Sequence, residues 1–466
     1  MTDLKFSTLA LSPDLLASIA ALAYESMTPI QAQALPPILE HKDLIAQAKT
    51  GSGKTAAFGI GILAKVEASN PHTQALVLCP TRELADQVTK EIKALARFIP
   101  NLKILALCGG KPLRRQVASL EHGAHIIVGT PGRILDHLQR RTLHIPSVQT
   151  LVLDEADRML DMGFSEAIAS IVQGLPRTRQ TLLFSATFPE AIQSISQSIQ
   201  NQPVQIKVES THAASQIEQI FYKVSEENRL STLKMLLKQK SSVSTLVFCT
   251  TKEQCDRIAE ELKNSALSAL AIHGGLDQRE RDEVLVRFSN KSCSILVATD
   301  VASRGLDIKN LETVINYQVP RDPEVYIHRI GRTGRAGNTG QALSLYTAAE
   351  KAKVSAIEAY QKSGVVFGKV EDLYCPDEER IAAPSAKHPP MQTLKIAGGK
   401  RDKLCKGDIL GALTGGTRQI AASQVGKIDI FEDHSCVAIE HAFSAQALRV
   451  LAERPIKGRS FKVKIL

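Results

Sequence analysis

One ten-residue stretch limits what this chain can fold into: Ala46-Gln47-Ala48-Lys49-Thr50-Gly51-Ser52-Gly53-Lys54-Thr55. The run before it, Asp43-Leu44-Ile45-Ala46, reads as a strand, and the Ala-rich, proline-free segment Ala56 to Val66 reads as a helix. Glycines at 51 and 53 let the backbone turn tightly enough to aim its N–H groups at a phosphate. Lys54 can then reach β- and γ-phosphates, and the Thr55 hydroxyl can ligand Mg2+ at the positive end of the helix. Thr50, Gly51, Ser52, Gly53, Lys54 and Thr55 are therefore the candidate phosphate-binding residues. The pattern G-x-x-x-x-G-K-[ST] is met except at its first glycine, which here is Ala48.

A loop of this kind sits at the edge of a parallel sheet, and the sequence supplies the strands. Leu76–Cys79, Ile104–Leu107, Ile126–Val128, Leu151–Leu153 and Thr181–Phe184 are continuous apolar runs bounded by polar or turn residues. Runs apolar on both faces fit a buried parallel sheet with helical crossovers. The pattern returns at Thr245–Phe248, Ala269–Ile272, Ile295–Ala298, Thr313–Ile315 and Ala342–Tyr346. With 466 residues and about 150 per domain, three domains are expected. We expect an α/β domain over 1–208, a second over 217–366, a proline-bearing linker over 367–390 and a small domain over 391–466. The last segment reads strand 392–396, helix 408–413, strand 426–431, strand 435–440, helix 444–452 and strand 460–465. That βαββαβ order is the α+β arrangement of RNA-recognition modules.

Charge points the same way. The chain carries a formal +9, and residues 391–466 hold 13 Lys/Arg against 7 Asp/Glu. Such asymmetry suits a polyanion, and no basic amphipathic helix suggests a membrane surface instead. The eight cysteines are scattered without a C-x-x-C pair and read as small buried hydrophobes of a reducing compartment, not as a disulfide framework or zinc site. No signal peptide and no apolar run near 18 residues is present, so a cytoplasmic location is expected.

A phosphate loop needs an acidic partner to hold the metal and aim a water. Asp154-Glu155-Ala156-Asp157 follows the apolar strand Thr150–Leu153, at the strand end where α/β sheets bind ligands. Asp154 would hold Mg2+ and Glu155 would polarise the attacking water. A solvated acidic helix start uses the same residue types; the presence of Lys54 favours the catalytic reading.

Taken together, Lys54 and Asp154-Glu155-Ala156-Asp157 resemble the DEAD-box family of ATP-dependent RNA helicases, and the match continues in the family's order to about residue 350. That resemblance implies two tandem RecA-like parallel-sheet domains, ATP and Mg2+ as cofactors and RNA as substrate. Tyr24, Thr28 and Gln31 resemble the adenine-reading segment, where a side-chain amide can pair with two base atoms at once. Pro80-Thr81-Arg82, Gly109-Gly110 and Thr130-Pro131-Gly132-Arg133 resemble backbone-binding elements, which assigns Arg82, Gly110, Thr130 and Arg133 to RNA. For Gly109-Gly110 alone, ordinary turn chemistry is the better explanation. Ser185-Ala186-Thr187, with Asp157, resembles the device that couples hydrolysis to strand separation. In the second domain Thr299 and Arg304 match RNA contacts, and Asp307 matches a ribose contact. Arg332 and Arg335, in His328-Arg329-Ile330-Gly331-Arg332-Thr333-Gly334-Arg335, match the pair that clamps the γ-phosphate.

The tail is similar to the C-terminal domain of DbpA-type bacterial helicases, carried by Gly407-Asp408-Ile409-Leu410-Gly411-Ala412-Leu413 and Val425-Gly426-Lys427-Ile428. The resemblance implies recruitment to 23S ribosomal RNA during large-subunit assembly; nothing in the sequence resembles a dimerisation segment, so a monomer is expected. The third strand of the tail, Cys436-Val437-Ala438-Ile439-Glu440, offers no aromatic for base stacking. Recognition is therefore expected from loops and basic residues, Lys400, Lys403, Lys427 and Lys457 among them. A general helicase, or an RNA clamp or chaperone, with a nonspecific basic tail is the alternative.

Overall fold

A computed structural model describes the chain apart from residues 1–3, 49–50, 189, 209–216, 241–243, 304–310, 335–338, 374–388 and 416–419. The interval between the two expected α/β domains, the greater part of the proline-bearing linker, and Thr50, Arg304, Asp307 and Arg335 lie outside the described residues. The chain divides into two compact units, one built on the first sheet, the other on the second sheet and the C-terminal domain.

The first unit holds a seven-stranded sheet. In spatial order its strands are Ile104–Leu107, Ile126–Gly129, Ala75–Leu78, Thr150–Asp154, Gln180–Ser185, Leu44–Gln47 and Val204–Lys207. Every neighbouring pair is parallel, for example Leu44 opposite Leu182 and Leu76 opposite Leu151. The central runs form strands because both faces are covered: Leu151, Val152 and Leu153 are all buried. One face packs on a core containing Phe58, Val77, Val152 and Phe184, the other on a core containing Leu76, Leu78, Leu151 and Leu183. Truncating any of these to alanine is worth about 2–5 kcal/mol. The crossover helix Arg82–Leu95 starts where the Thr81 hydroxyl accepts from Leu84 N at 3.2 Å. It then buries Leu84, Ala85, Val88, Ile92 and Leu95, a single helical stripe.

The second sheet repeats the first. Its order is Ala269–Ile272, Ile295–Thr299, Thr245–Cys249, Thr313–Asn316, Gly340–Tyr346, Ile217–Lys223 and Val366–Gly368. Numbering each sheet's strands along the chain gives the same order, 3-4-2-5-6-1-7, in both. The expectation of two tandem RecA-like parallel sheets is borne out.

The C-terminal domain is a four-stranded antiparallel sheet ordered Val425–Ile430, Ser435–Glu440, Met391–Ile396, Val463–Ile465. Helices Lys406–Thr414 and Ser444–Glu453 cover one face, over Leu394, Ile396, Val437 and Ile439. Its last strand, Val463–Ile465, is shorter than the 460–465 expected; Phe461, just before it, packs over Gly398, where a Cβ would meet the ring at 2.4 Å. The opposite face, which carries Thr393, Lys395, Cys436 and Ala438, does not face solvent. It lies on the helix Gln278–Ser289 and the loop after it. Asn290 Nδ2 donates to Thr393 Oγ1 at 3.2 Å, Lys395 meets Glu283 at 3.3 Å and Met391 N donates to Lys291 O at 3.3 Å.

Candidate nucleotide and RNA site

The phosphate loop joins the strand Leu44–Gln47 to the helix Lys54–Leu63. Gly51 and Gly53 have φ of 85° and 96°, the left-handed region that glycine reaches without cost. A Cβ on Gly53 would stand 2.5 Å from Gln31 Nε2. Gln31 is tied into the loop: Nε2 donates to Gly53 O at 3.2 Å and Oε1 accepts from Thr28 N at 2.9 Å. Gln31 thus caps the start of the helix Pro29–Leu39 through Thr28 N while bracing the loop. Tyr24 stacks on Phe6 with ring centroids 6.4 Å apart. Burial, then the nearby Glu91 carboxylate, pushes its hydroxyl pKa up.

Lys54 is buried and donates to Ala48 O at 2.8 Å. Thr55 follows it in the first turn of the helix. Asp154 ends its strand fully inside the protein, and burial raises its pKa to about 7 against the pull of Lys54. Glu155 takes a left-handed backbone, φ 51°, at the strand-to-helix junction. Two steps on, Asp157 Oδ2 accepts from Thr187 N at 3.1 Å and from Thr187 Oγ1 at 2.9 Å. The Ser52 hydroxyl in the phosphate loop is buried without a hydrogen-bond partner, as a donor to a bound phosphate would be; the hydroxyls of Thr28 and Ser185 are also buried and unpartnered. Among the described residues no group of three or more His, Cys, Asp and Glu could hold a metal by itself. Thr55 and Asp154, the expected Mg2+ ligands, are oxygen donors of the kind a hard cation takes.

The same end of the first sheet gathers the expected RNA-contacting residues. Arg82 lies over Gly109, whose added Cβ would meet Nη2 at 3.0 Å. Gly110 has φ 76°. Thr130 opens the helix Pro131–Gln139, and Arg133 Nη1 donates to Lys111 O at 3.1 Å.

In the second sheet, Asp300 binds both Nε and Nη2 of Arg329 at 2.6 and 2.7 Å. Arg329 Nη1 also donates to Asn316 Oδ1 at 3.0 Å and Gln318 O at 2.9 Å, and its guanidinium stands 5.0 Å over the Phe248 ring. Thr299 Oγ1 accepts from Ala302 N at 3.4 Å, which starts the turn after this strand. Arg332 follows one turn after Arg329, its N–H donating to Arg329 O at 3.2 Å. His273 Nε2 is 2.9 Å from Asp256 Oδ1, and Arg281 Nη1 donates to His273 O at 3.3 Å. Sequence reading named the segment His328–Arg335 but gave Arg329 no role. Its signal, an arginine between a histidine and an apolar residue in a helix, does not reveal a partner 29 positions away.

Of the tail lysines, Lys403 and Lys457 belong together: Lys457 Nζ donates to Lys403 O at 3.0 Å and lies 3.8 Å from Asp408. Lys400 stands in the same loop, 3.5 Å from Glu432. Lys427 stands apart on the sheet, donating to Ser289 Oγ at 3.2 Å and 3.0 Å from Asp429.

Comparison with known proteins accounts for this geometry. Residues 28–195 match the DEAD/DEAH box helicase family, 228–337 the helicase conserved C-terminal domain and 393–465 the DbpA RNA binding domain. The chain is 50% identical to the ATP-dependent RNA helicase DbpA of Escherichia coli (strain K12), covering 99% of each. It is 37% identical to the ATP-dependent RNA helicase DbpA of Bacillus subtilis (strain 168), covering 98% of each. Among solved structures, S. cerevisiae Dbp5 bound to RNA and ADP BeF3 matches with a TM-score of 0.72 at 30% identity, over 81% of this chain and 97% of that one. With both helicase domains, the DbpA tail and full-length relatives in agreement, the chain belongs to the DEAD-box ATP-dependent RNA helicases of the DbpA type.

Proposed function

We propose that this ATP-dependent RNA helicase is directed by its C-terminal domain to 23S ribosomal RNA, and that it acts in the cytoplasm, as a monomer, in assembly of the large ribosomal subunit. The observation that carries the reading is the division of the tail's surface. Its sheet face is closed by the second domain, so the loops bearing Lys400, Lys403 and Lys457 are left to meet RNA. Loops read a folded hairpin by shape and edge contacts, whereas an open sheet would stack any single strand.

In this reading Tyr24, Thr28 and Gln31 hold the base end of ATP, and Gly51, Ser52, Gly53 and Lys54, with Thr50, hold its phosphates. Thr55 and Asp154 would hold Mg2+, which would supply charge neutralisation to the phosphates. Glu155 orients and deprotonates the attacking water. Arg332 and Arg335 neutralise the γ-phosphate, and Asp307 holds the ribose. Asp157, Ser185 and Thr187 pass the change to the RNA-contacting residues Arg82, Gly110, Thr130, Arg133, Thr299 and Arg304. Among the described residues no helix is long and apolar enough to cross a membrane.

The test is ATP turnover by the full chain with ribosomal hairpin fragments against unrelated RNA at equal length and salt, in the wild type and in K400E/K403E/K457E. The reading expects strong stimulation by one ribosomal fragment and loss of that preference in the variant. Equal stimulation by every RNA would leave a general helicase, and absence of stimulated turnover would leave a clamp.

A further inference from the structure

Cys249 ends the central strand Thr245–Cys249 of the second sheet, and Cys255 lies near the start of the helix Lys252–Asn264. The chain reverses between them through Thr250 and Thr251, whose hydroxyl caps the helix by accepting from Gln254 N at 3.2 Å. The reversal returns Cys255 Sγ to 2.8 Å from Cys249 Sγ, and the two thiols share a hydrogen bond. Only about 0.8 Å separates this from the ~2.05 Å of a disulfide. Both side chains are buried, while Thr250, Thr251, Lys252 and Glu253 above them are exposed.

We propose that Cys249 and Cys255 are an oxidisable dithiol, a modification site at which a hydroperoxide closes a disulfide. One thiolate attacks the peroxide oxygen, the O–O bond breaks, hydroxide leaves and a sulfenic acid forms. The second thiol then attacks that sulfur, the S–S bond forms and water leaves. With hydrogen peroxide the balance is two thiols and one peroxide to one disulfide and two waters. The hydrogen bond with Cys255, then burial, holds the Cys249 thiol protonated well above its ordinary range. Oxidation therefore proceeds through opening of the exposed turn and is slower than at the exposed Cys405.

The disulfide has a defined mechanical effect. Asp256 adjoins Cys255 and holds His273 at 2.9 Å, and Cys249 Sγ lies 3.7 Å from Ala298 O, just before Thr299. Drawing the helix start toward the strand end shifts both. The effect on activity rests on the assignment of Thr299 to RNA; formation of the disulfide does not.

The experiment exposes the reduced, full-length protein to hydrogen peroxide, alkylates the remaining thiols after denaturation and maps the peptides by mass. In parallel it measures ATP turnover against RNA concentration. The proposal expects a Cys249–Cys255 linkage lighter by two hydrogens, and a severalfold rise in KM for RNA with RNA-free hydrolysis retained. Dithiothreitol reverses both, C255S and C249S prevent both, and C405S prevents neither. Alkylation of both thiols after Cys405 has been consumed would overturn the site, and this reading needs no variant to fold. A linkage that leaves KM unchanged would overturn the mechanical coupling. Absence of RNA stimulation in the reduced protein would instead sink the helicase-site assignments, while the mass result would still decide the dithiol.

Discussion

Asp300 receives both arms of Arg329, Nε at 2.6 Å and Nη2 at 2.7 Å, and the arginine is buried. A planar fork meeting a carboxylate in this way fixes direction as well as distance. The pair joins the turn after Ile295–Thr299 to the helix that leads into Arg332.

Removing the arginine leaves the half-buried Asp300, 27% exposed, without its fork, and empties a buried site that also bonds Asn316 and Gln318. Arg329→Ala is expected to destabilise by about 3–5 kcal/mol, the range for a broken buried pair. Arg329→Lys keeps the charge but loses the fork, and is expected to fall between wild type and alanine. Urea unfolding of the three proteins checks the order; equal midpoints would contradict it.

Thr393 Oγ1 lies 2.5 Å from Ser292 Oγ in the buried contact between the tail sheet and the second domain. Thr393→Glu places an unpaired carboxylate there, so the tail is expected to detach. Small-angle scattering of the full chain should show a larger radius of gyration, and C-terminal tail release by limited proteolysis should speed up. The Asn290 Oδ1 atom at this contact has no hydrogen-bond partner, so the buried seam has no spare donor there to take up an added carboxylate.

Gly53→Ala meets two penalties. A left-handed alanine costs about 1–2 kcal/mol in backbone strain. Its methyl would also stand 2.5 Å from Gln31 Nε2 and displace the amide that braces the loop. KM for ATP is expected to rise about tenfold or more, the equivalent of 1.4 kcal/mol per decade. Steady-state turnover at saturating RNA measures it, and an unchanged KM would remove the loop from the nucleotide site.

Lys65 gives a pH dependence of known sign. Its Nζ donates to Ile38 O at 2.6 Å and Gln180 Oε1 at 2.5 Å, and burial lowers its pKa from 10.5 to about 8. Between those values the unfolded chain holds the proton that the folded chain has released, so stability rises with pH across that window. Below about pH 8 both forms are charged and the burial penalty is fully present. The stability difference between wild type and Lys65→Met should therefore move in favour of the wild type from pH 8 to 10.5. Chemical unfolding at matched salt checks it; a flat difference would refute the shift.

What the sequence revealed was what neighbouring residues impose on each other. Leu151-Val152-Leu153 is apolar at every position, which already means a strand covered on both sides. The glycines of the phosphate loop announce their φ angles because no other residue adopts them cheaply. The order of the tail's elements was legible for the same reason. The contacts that escaped are those between distant segments: Thr393 with Ser292, Arg329 with Asp300, and Cys249 with Cys255 across a reversal. Lys427 shows the limit most plainly. By composition it belongs with Lys400, Lys403 and Lys457, but strand alternation puts it on the opposite face, bonded to Ser289.

The shared strand order of the two sheets makes this chain a fused pair of copies of one fold, and the pair is unequal. In the first copy the opening strand leads into a glycine loop and a lysine. In the second, Ile217–Lys223 leads into Val224-Ser225-Glu226-Glu227-Asn228, with no glycine, and the next helix begins at Arg229. That arginine is 1% exposed and locked to Glu226 and Glu350 at 2.9 and 2.8 Å. The position we assign to the nucleotide's phosphates in one half is an internal strut in the other. Such a chain has one ignition point, not two, which leaves the second half free to specialise as the partner that answers it.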